Sequence, residues 1–377
     1  MSSFSDDKHF WHTEQVFDDA AIYFEELIHS LEHAVARVNV DFYIFKYDEL
    51  GKRVIGALTR AAKRGVEIRV VIDGVGSGDS ANIVASILDH ANISVRIFRP
   101  LPWYLTHYQW SFKDGSKLKK MLYYFASLNR RDHRKLCTID SKFAFCGSLN
   151  IAQYHIDTGT QRSPWHDYGV KLEGKNVGLL DEDFSAFWSQ QAHNPSKHNI
   201  TNFLSNASPA KRSARNSFVS RKIADARKTI SICTAYFSPS GAILKALSAA
   251  CTRGVAVNLI VSAKSDIFLS PLLTSTYYSD LLGMGVRVFE YQRGILHAKL
   301  MLIDDECIIG SSNLNHRSYY HDLELDVVLT TSAAITSLKS KLARDRANSH
   351  EITPPSLRGL NKVKLFGWLP RIFRYWS

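Results

Sequence analysis

No apolar run in the 377 residues comes near the ~18 that a membrane-spanning helix needs. Residues 1–15 are polar and acidic and lack the apolar stretch of a signal peptide, so none is expected. Cysteine is scarce: Cys137, Cys146, Cys233, Cys251 and Cys307 form an odd set of five at scattered spacings. Most sit in apolar, strand-like runs and read as reduced core residues, not as a disulfide or zinc framework. No Cys/His group has metal-ligand spacing, so neither a metal nor a cofactor is expected. The stretch Asp73-Gly74-Val75-Gly76-Ser77-Gly78 lacks both a helix-opening fingerprint and a P-loop lysine. It reads as a turn, with a place on the rim of a site as the alternative. Acidic side chains are outnumbered, 36 against 47 Lys and Arg, for a formal charge of +11. That excess favours an anionic partner, either nucleic acid or an anionic membrane surface.

What is present is duplication. Asp132-His133-Arg134-Lys135-Leu136-Cys137-Thr138-Ile139-Asp140 has a second copy in Leu296-His297-Ala298-Lys299-Leu300-Met301-Leu302-Ile303-Asp304, and both read H-x-K-x-x-x-x-D. Each is followed by a short apolar strand and a G-S-x-N, Gly147-Ser148-Leu149-Asn150 and Gly310-Ser311-Ser312-Asn313. His and Lys two apart on a strand share a face. Polar turns at Asp140-Ser141-Lys142 and Asp304-Asp305-Glu306 close each pair of strands into a hairpin. Two hairpin ends facing each other give a pocket of two imidazoles, two ammonium groups and two carboxamides. Such a pocket suits a phosphate: Lys and Asn bind its oxygens while one imidazole attacks and the other donates a proton.

The periodicity predicts a helix over residues 16–38, strands over 40–47, 66–72 and 95–98, and helices over 52–64 and 83–90 between them. A second series has helices at 220–228 and 241–253, strands at 229–236, 255–261 and 286–290, and a helix ending at 280–283. Arg64-Gly65-Val66 recurs as Arg253-Gly254-Val255, so the duplication covers the domain as well as the motif. This β-α-β rhythm predicts an α/β fold of two pseudo-symmetric halves, with mixed β-sheets flanked by helices and the active site at the interface between halves. The halves are expected at 1–200 and 217–335, joined by a linker at 201–216 within the Ser/Asn/Lys/Pro-rich stretch 194–216. Its basic run Lys211-Arg212-Ser213-Ala214-Arg215 reads as a solvated face. A basic, aromatic tail occupies 336–377. The first half also carries an aromatic and lysine-rich insertion within 100–131, read either as a lid or as a lipid-facing flap.

At the motif residues the chain resembles the phospholipase D superfamily, whose signature is this duplicated H-x-K-x-x-x-x-D. Within it the chain is similar to the bacterial cardiolipin synthases without transmembrane helices: the first motif begins H-R-K, Trp165-His166-Asp167 follows, and the second G-S-x-N continues as Asn315, Arg317, Ser318 and Glu324. The resemblance runs from about Val16 to Leu329. It implies His133 as the nucleophile and His297 as the acid, an order that spacing alone leaves open. It also implies Lys135 and Lys299 on the phosphate oxygens, with Asn150, Asn313, Ser148 and Ser311 assisting. Asp140 and Asp304 complete the catalytic motifs by supporting them, and Asp167 and Glu324 hold the histidines.

The implied activity is transfer of a phosphatidyl group from one phosphatidylglycerol to another through a phosphohistidine. The rivals are a phospholipase D that uses water, a nuclease or other phosphodiesterase, and a non-catalytic scaffold. The expected partners are a phospholipid and an anionic membrane surface, not nucleic acid. The expected location is peripheral, on the bacterial inner membrane.

Overall fold

The computed structural model describes residues 10–100, 130–159, 164–189 and 203–354. The first sheet holds β1 (Thr13–Phe17), β2 (Arg37–Phe42), β3 (Glu67–Asp73), β4 (Ile93–Phe98), β5 (Lys135–Ile139), β6 (Phe143–Gly147) and, beyond the short β7 (Trp165–His166), β8 (Gly169–Glu173). The second holds β9 (Phe203–Ser205), β10 (Thr229–Thr234), β11 (Ala256–Lys264), β12 (Arg287–Leu296), β13 (Lys299–Ile303), β14 (Glu306–Gly310), β15 (Leu325–Leu329) and β16 (Ser349–Ile352). The first runs β1-β8-β6-β5-β2-β3-β4, and the second β9-β15-β14-β13-β10-β11-β12-β16, with β7 also paired to β12. Without β7 and β16 the two orders correspond strand for strand. In each sheet three strands run parallel (β2, β3, β4 and β10, β11, β12), and the motif hairpin pairs antiparallel to the first of them.

Alternation along the strands explains why both hairpins read as continuous apolar runs. Leu300 and Leu302 of β13 enter a core shared by the two sheets, while Met301 and Ile303 enter the core beneath the second half's helices. Ala144 and Cys146 of β6 meet the same shared core, and Phe145 turns to the first half's helix side. A sheet buried on both faces needs apolar side chains at every position. All five cysteines are free thiols, and four are fully buried.

The expected first helix is two elements. Residues 13–17 form β1, and the helix runs Ala20–Glu32, capped by Asp19, whose carboxylate accepts from the N–H groups of Ala21 and Ile22. Its buried face is Tyr23, Phe24, Leu27 and Leu31. Ile22 and Val35, which had extended the apolar periodicity at both ends, are exposed. The stretch read as a linker is folded from Phe203 onward: β9 closes the edge of the second sheet, and Ser208 caps a helix over Pro209–Asp225. The basic run lies on that helix and is not a solvated face, because Arg215 is buried against Asp326 and Lys211 pairs with Asp183. The part of the expected tail up to residue 354 belongs to the body, as the helix Ser332–Ala347 and as β16, paired with β12. The rest of the tail and most of the aromatic insertion lie outside the described residues. Among the described residues no helix is long and apolar enough to cross a membrane.

Candidate active site

Each motif histidine stands just ahead of its hairpin, and the opposite half holds it there. The His133 N–H donates to Leu323 O at 2.9 Å, and the His297 N–H to His166 O at 2.9 Å. The side chains follow the same crossing. His133 Nδ1 lies 3.2 Å from Glu324 Oε2 and 3.1 Å from Ser311 O, both in the second half. His297 Nδ1 lies 2.9 Å from Asp167 Oδ1, in the first. With Nδ1–H directed at an acceptor, Nε2 of each ring is left to act on a ligand.

The lysines complete the pair. Lys135 Nζ donates to His133 O at 2.7 Å, and Lys299 Nζ to His297 O at 2.6 Å, with His297 Nε2 3.0 Å away. Burial, then the neighbouring ammonium of Lys299, brings Lys135 down to about 7. Burial brings Lys299 to about 8 against the pull of Asp167. Burial and Lys299 hold His297 at about 4, again opposed by Asp167, and burial with both lysines holds His133 well below its usual value. These side chains gather positive charge that burial disfavours, and an anion between the lysines would offset it.

The carboxylates differ. Burial works against the charge on Asp167, but His297 and His155 outweigh it and hold the group well below the carboxylate range. Glu324 is raised, because burial prevails over its bonds from Ser311 and Ser318. Ser311 Oγ donates to Glu324 Oε2, and Ser318 Oγ to Oε1 at 2.6 Å. Ser148 plays a different part, with its Oγ donating to Tyr168 O and accepting the Tyr168 N–H. Gly147 and Gly310 allow these serines to approach, since an added Cβ would stand 2.4 Å from Tyr168 O and 2.3 Å from Leu325 O. Asn150 and Asn313 are buried, and each has an Oδ1 with no hydrogen-bond partner.

Sequence reasoning missed His155. Its Nδ1 lies 2.8 Å from Asp167 Oδ2, and its Nε2 accepts the Asn150 N–H at 3.2 Å. Ser318 occupies the matching place, accepting the Asn313 N–H at 3.0 Å and donating to Glu324. The available signal was position: each residue follows its asparagine by the same interval. Aromatic rings also border the site. Tyr43 lies 4.7 Å from His133, and Trp165 5.0 Å and Tyr236 6.3 Å from His297, between centroids.

Asp140 and Asp304 are not in this pocket, which corrects their place among the catalytic residues. They sit at the far ends of β5 and β13, roughly 20 Å along the chain from the histidines at strand rise. Asp140 accepts the N–H groups of Val35, Ala36 and Arg37, and Asp304 those of Arg227, Lys228 and Thr229, at 2.7–2.9 Å. They anchor the start of β2 and β10. Asp304→Ala is expected to lower stability by ~1–3 kcal/mol while leaving kcat of the folded protein unchanged. Chemical denaturation and an activity assay together check this. Burial opposes the Asp304 charge, but those donors hold its carboxyl below the usual value. Its contribution is thus present above the unfolded pKa and lost as pH falls through the lowered one.

Arg134, the middle residue of H-R-K, is fully buried and bonds Asp132, not a ligand. The glycine-rich stretch is a turn: Asp73 Oδ1 accepts the N–H groups of Val75 and Gly76, and the carboxylate also holds Arg131. No group of three or more metal-ligating side chains occurs among the described residues.

Comparison with known proteins agrees with this construction. The family model described as "Cardiolipin synthase, PLD-like domain" matches residues 27–188 and again 219–346. The probable cardiolipin synthase YwiE of Bacillus subtilis is 29% identical, over 88% of this chain and 65% of its own length. The cardiolipin synthase of Clostridium perfringens SM101 is 27% identical over 93% and 74%. In fold, the crystal structure of a phosphatidylserine synthase from Haemophilus influenzae matches with a TM-score of 0.65 over 97% of this chain and 96% of its own, at 12% identity. The chain thus spans slightly less than two thirds of the length of the first of these relatives.

Proposed function

The chain belongs to the cardiolipin synthase PLD-like domain family, and from that premise we propose that it is a phosphatidyltransferase making cardiolipin from two molecules of phosphatidylglycerol. The observation that carries this reading is the pair of histidines, His297 buried and His133 half-buried, each braced from the opposite half and each beside a lysine. His133 Nε2 attacks phosphorus, and a P–N bond forms as the P–O bond to the glycerol headgroup breaks. His297 gives its Nε2 proton to the departing oxygen, and glycerol leaves. The second phosphatidylglycerol then offers a hydroxyl. His297 takes its proton, the oxygen attacks phosphorus, and the P–N bond breaks to free His133. Lys135 and Lys299, with the carboxamides of Asn150 and Asn313, offset charge on the non-bridging oxygens throughout.

Burial and the lysines hold both rings neutral in the free protein, His297 at about 4. A bound phosphodiester offsets the lysines; ionised Asp167 then favours a protonated His297, while Glu324, raised and engaged by two serines, leaves His133 neutral for attack. Water in place of the second hydroxyl gives phosphatidic acid, the phospholipase D outcome. Incubation with labelled phosphatidylglycerol distinguishes the two: cardiolipin and glycerol are expected, and phosphatidic acid alone would sink the transferase reading.

The lysines predict a pH dependence. In the free protein, ammonium is lost as pH rises through about 7 to 8, so kcat/KM should fall above that range. Bound phosphodiester raises both groups, so the alkaline limb of kcat should lie higher. Stability has the opposite sign: the depressed lysines burden the substrate-free protein below about 7, and it gains stability as pH rises toward the unfolded value near 10. A kcat/KM profile flat to pH 9 would refute this assignment.

Membrane engagement is peripheral in this reading, at the bacterial inner membrane. Phe268 is 92% exposed, with Ile267, Leu269 and Leu272 partly exposed beside it. Asp266, next to this loop, accepts the hydroxyl of Tyr236 at the site, and Lys264 and Arg293 are exposed nearby. Apolar anchors with basic neighbours suit an anionic bilayer. Phe268→Ser is expected to weaken binding to phosphatidylglycerol vesicles about 10-fold, read by co-sedimentation.

A further inference from the structure

The basic run on the helix Pro209–Asp225 leads to a second cluster beside the histidines. Arg212, near the start of that helix, has Nε and Nη2 buried without a hydrogen-bond partner, and Arg130 Nε and His321 Nε2 are in the same condition. Arg130 Nη2 donates to Ala207 O at 3.0 Å, which brings its guanidinium up to the helix start. Arg99 Nη1 donates to Arg130 O at 3.0 Å and adds a third cation. The carboxylates nearby are already engaged. Asp322 takes Arg317 and the Arg131 N–H, Asp73 takes Arg131, Asp132 takes Arg134, and Asp326 takes Arg215. Burial, then Arg212 and Arg99, hold Arg130 below its usual value; burial acts likewise on Arg212, eased by Asp322. Like charges gathered with buried, unused donors are costly unless an anion joins them. Planar guanidinium forks match the oxygens of a phosphate.

We propose that Arg130, Arg212 and His321, with Arg99 alongside, form a second phosphate site that holds the acceptor lipid by its own phosphodiester. The inference rests on the transferase reading and adds to it the way one substrate is told from water. The location fits. His321 is three residues from Glu324, and Leu323 between them bonds the His133 backbone, so the cluster lies within about 10 Å of chain from the braced histidine. In phosphatidylglycerol the attacking hydroxyl hangs from its phosphate by a three-carbon arm. An anchored phosphate would therefore present that hydroxyl to the phosphohistidine, whereas the donor's phosphate occupies the lysines.

Arg212→Gln and the double variant with Arg130→Gln test this in the full chain. In phosphate-free buffer the substitution removes repulsion, so Tm should hold or rise; a purely structural arginine would lower it. Titration with inorganic phosphate should show two sites per chain in the unaltered protein and one in the double variant. KM for phosphatidylglycerol as acceptor should rise about 10-fold or more. Exchange of the headgroup with labelled glycerol, an acceptor without phosphate, should continue at its original rate. Arg212→Lys should recover part of the loss by restoring charge without the fork. Equal loss with both acceptors, no change with either, or two phosphates still bound by the double variant would overturn the proposal. Phosphate binding that depends on the arginines, with an unchanged acceptor KM, would mark a free-phosphate site and overturn the acceptor assignment. An unaltered protein that yields phosphatidic acid but neither cardiolipin nor glycerol exchange would remove the transferase reading itself, while the phosphate count still reports on the cluster.

Discussion

His297→Asn should leave the phosphatidyl group attached to the protein, and His133→Asn should not. Both substitutions are expected to reduce cardiolipin formation by at least about 10⁴-fold, the scale on which losing a nucleophile or its proton partner acts. They differ in where the reaction stops. Without His133 no P–N bond can form. Without His297, attack can still proceed on the fraction of turnovers in which solvent protonates glycerol, and the second half-reaction then lacks its base. Intact mass after incubation with phosphatidylglycerol reads the difference, and peptide mapping locates the label. Label on His297 in the His133 variant would exchange the two roles.

The second large effect follows from the crossing of the carboxylates. Asp167→Asn should lower turnover by about 10²–10⁴-fold, and its phenotype should resemble that of the His297 variant, although Asp167 belongs to the first half. Glu324→Gln should instead slow formation of the intermediate, because it disturbs His133. Rapid quenching with labelled lipid separates these outcomes: accumulated adduct in the Asp167 variant, little in the Glu324 variant. The reverse pattern would mean that each carboxylate serves the histidine of its own half. His155→Ser, which copies the arrangement around Ser318, should shift the pH profile of the His297 step, since it removes one of the two rings that hold Asp167 ionised.

The sequence made the repeated part of this site legible because strand-borne motifs have a period that can be read directly. His133, Lys135, His297 and Lys299 come together as expected, with Asn150 and Asn313 buried nearby. The braces could be named, but their crossing could not be seen, because Asp167–His297 and His133–Glu324 join residues more than a hundred positions apart. Asp140 and Asp304 had the motif's authority without its location; a carboxylate that ends a strand serves backbone donors just as well as a phosphate site. The linker reading failed at Phe203 and Arg215 for a related reason. Ser, Asn and Lys are common in loops, but Ser208-Pro209 is also a helix start, and Arg215 finds its partner Asp326 only through the tertiary fold.

Residues 11–18, around β1, are fastened to residues 328–344 of the second half. Trp11 Nε1 donates to Val328 O at 3.0 Å, and Glu14 accepts the N–H groups of Thr330 and Thr331 at the head of the helix Ser332–Ala347. Asp18 pairs with Lys341 and Arg344 of that helix. During synthesis these partners emerge more than 300 residues after β1. The first half must therefore wait with its edge strand unfastened and the face toward the second sheet uncovered until residues 328–344 have emerged. Contacts so distant in sequence make closure slow, and a nascent chain stalled before residue 330 should be far more open to proteases than the finished protein.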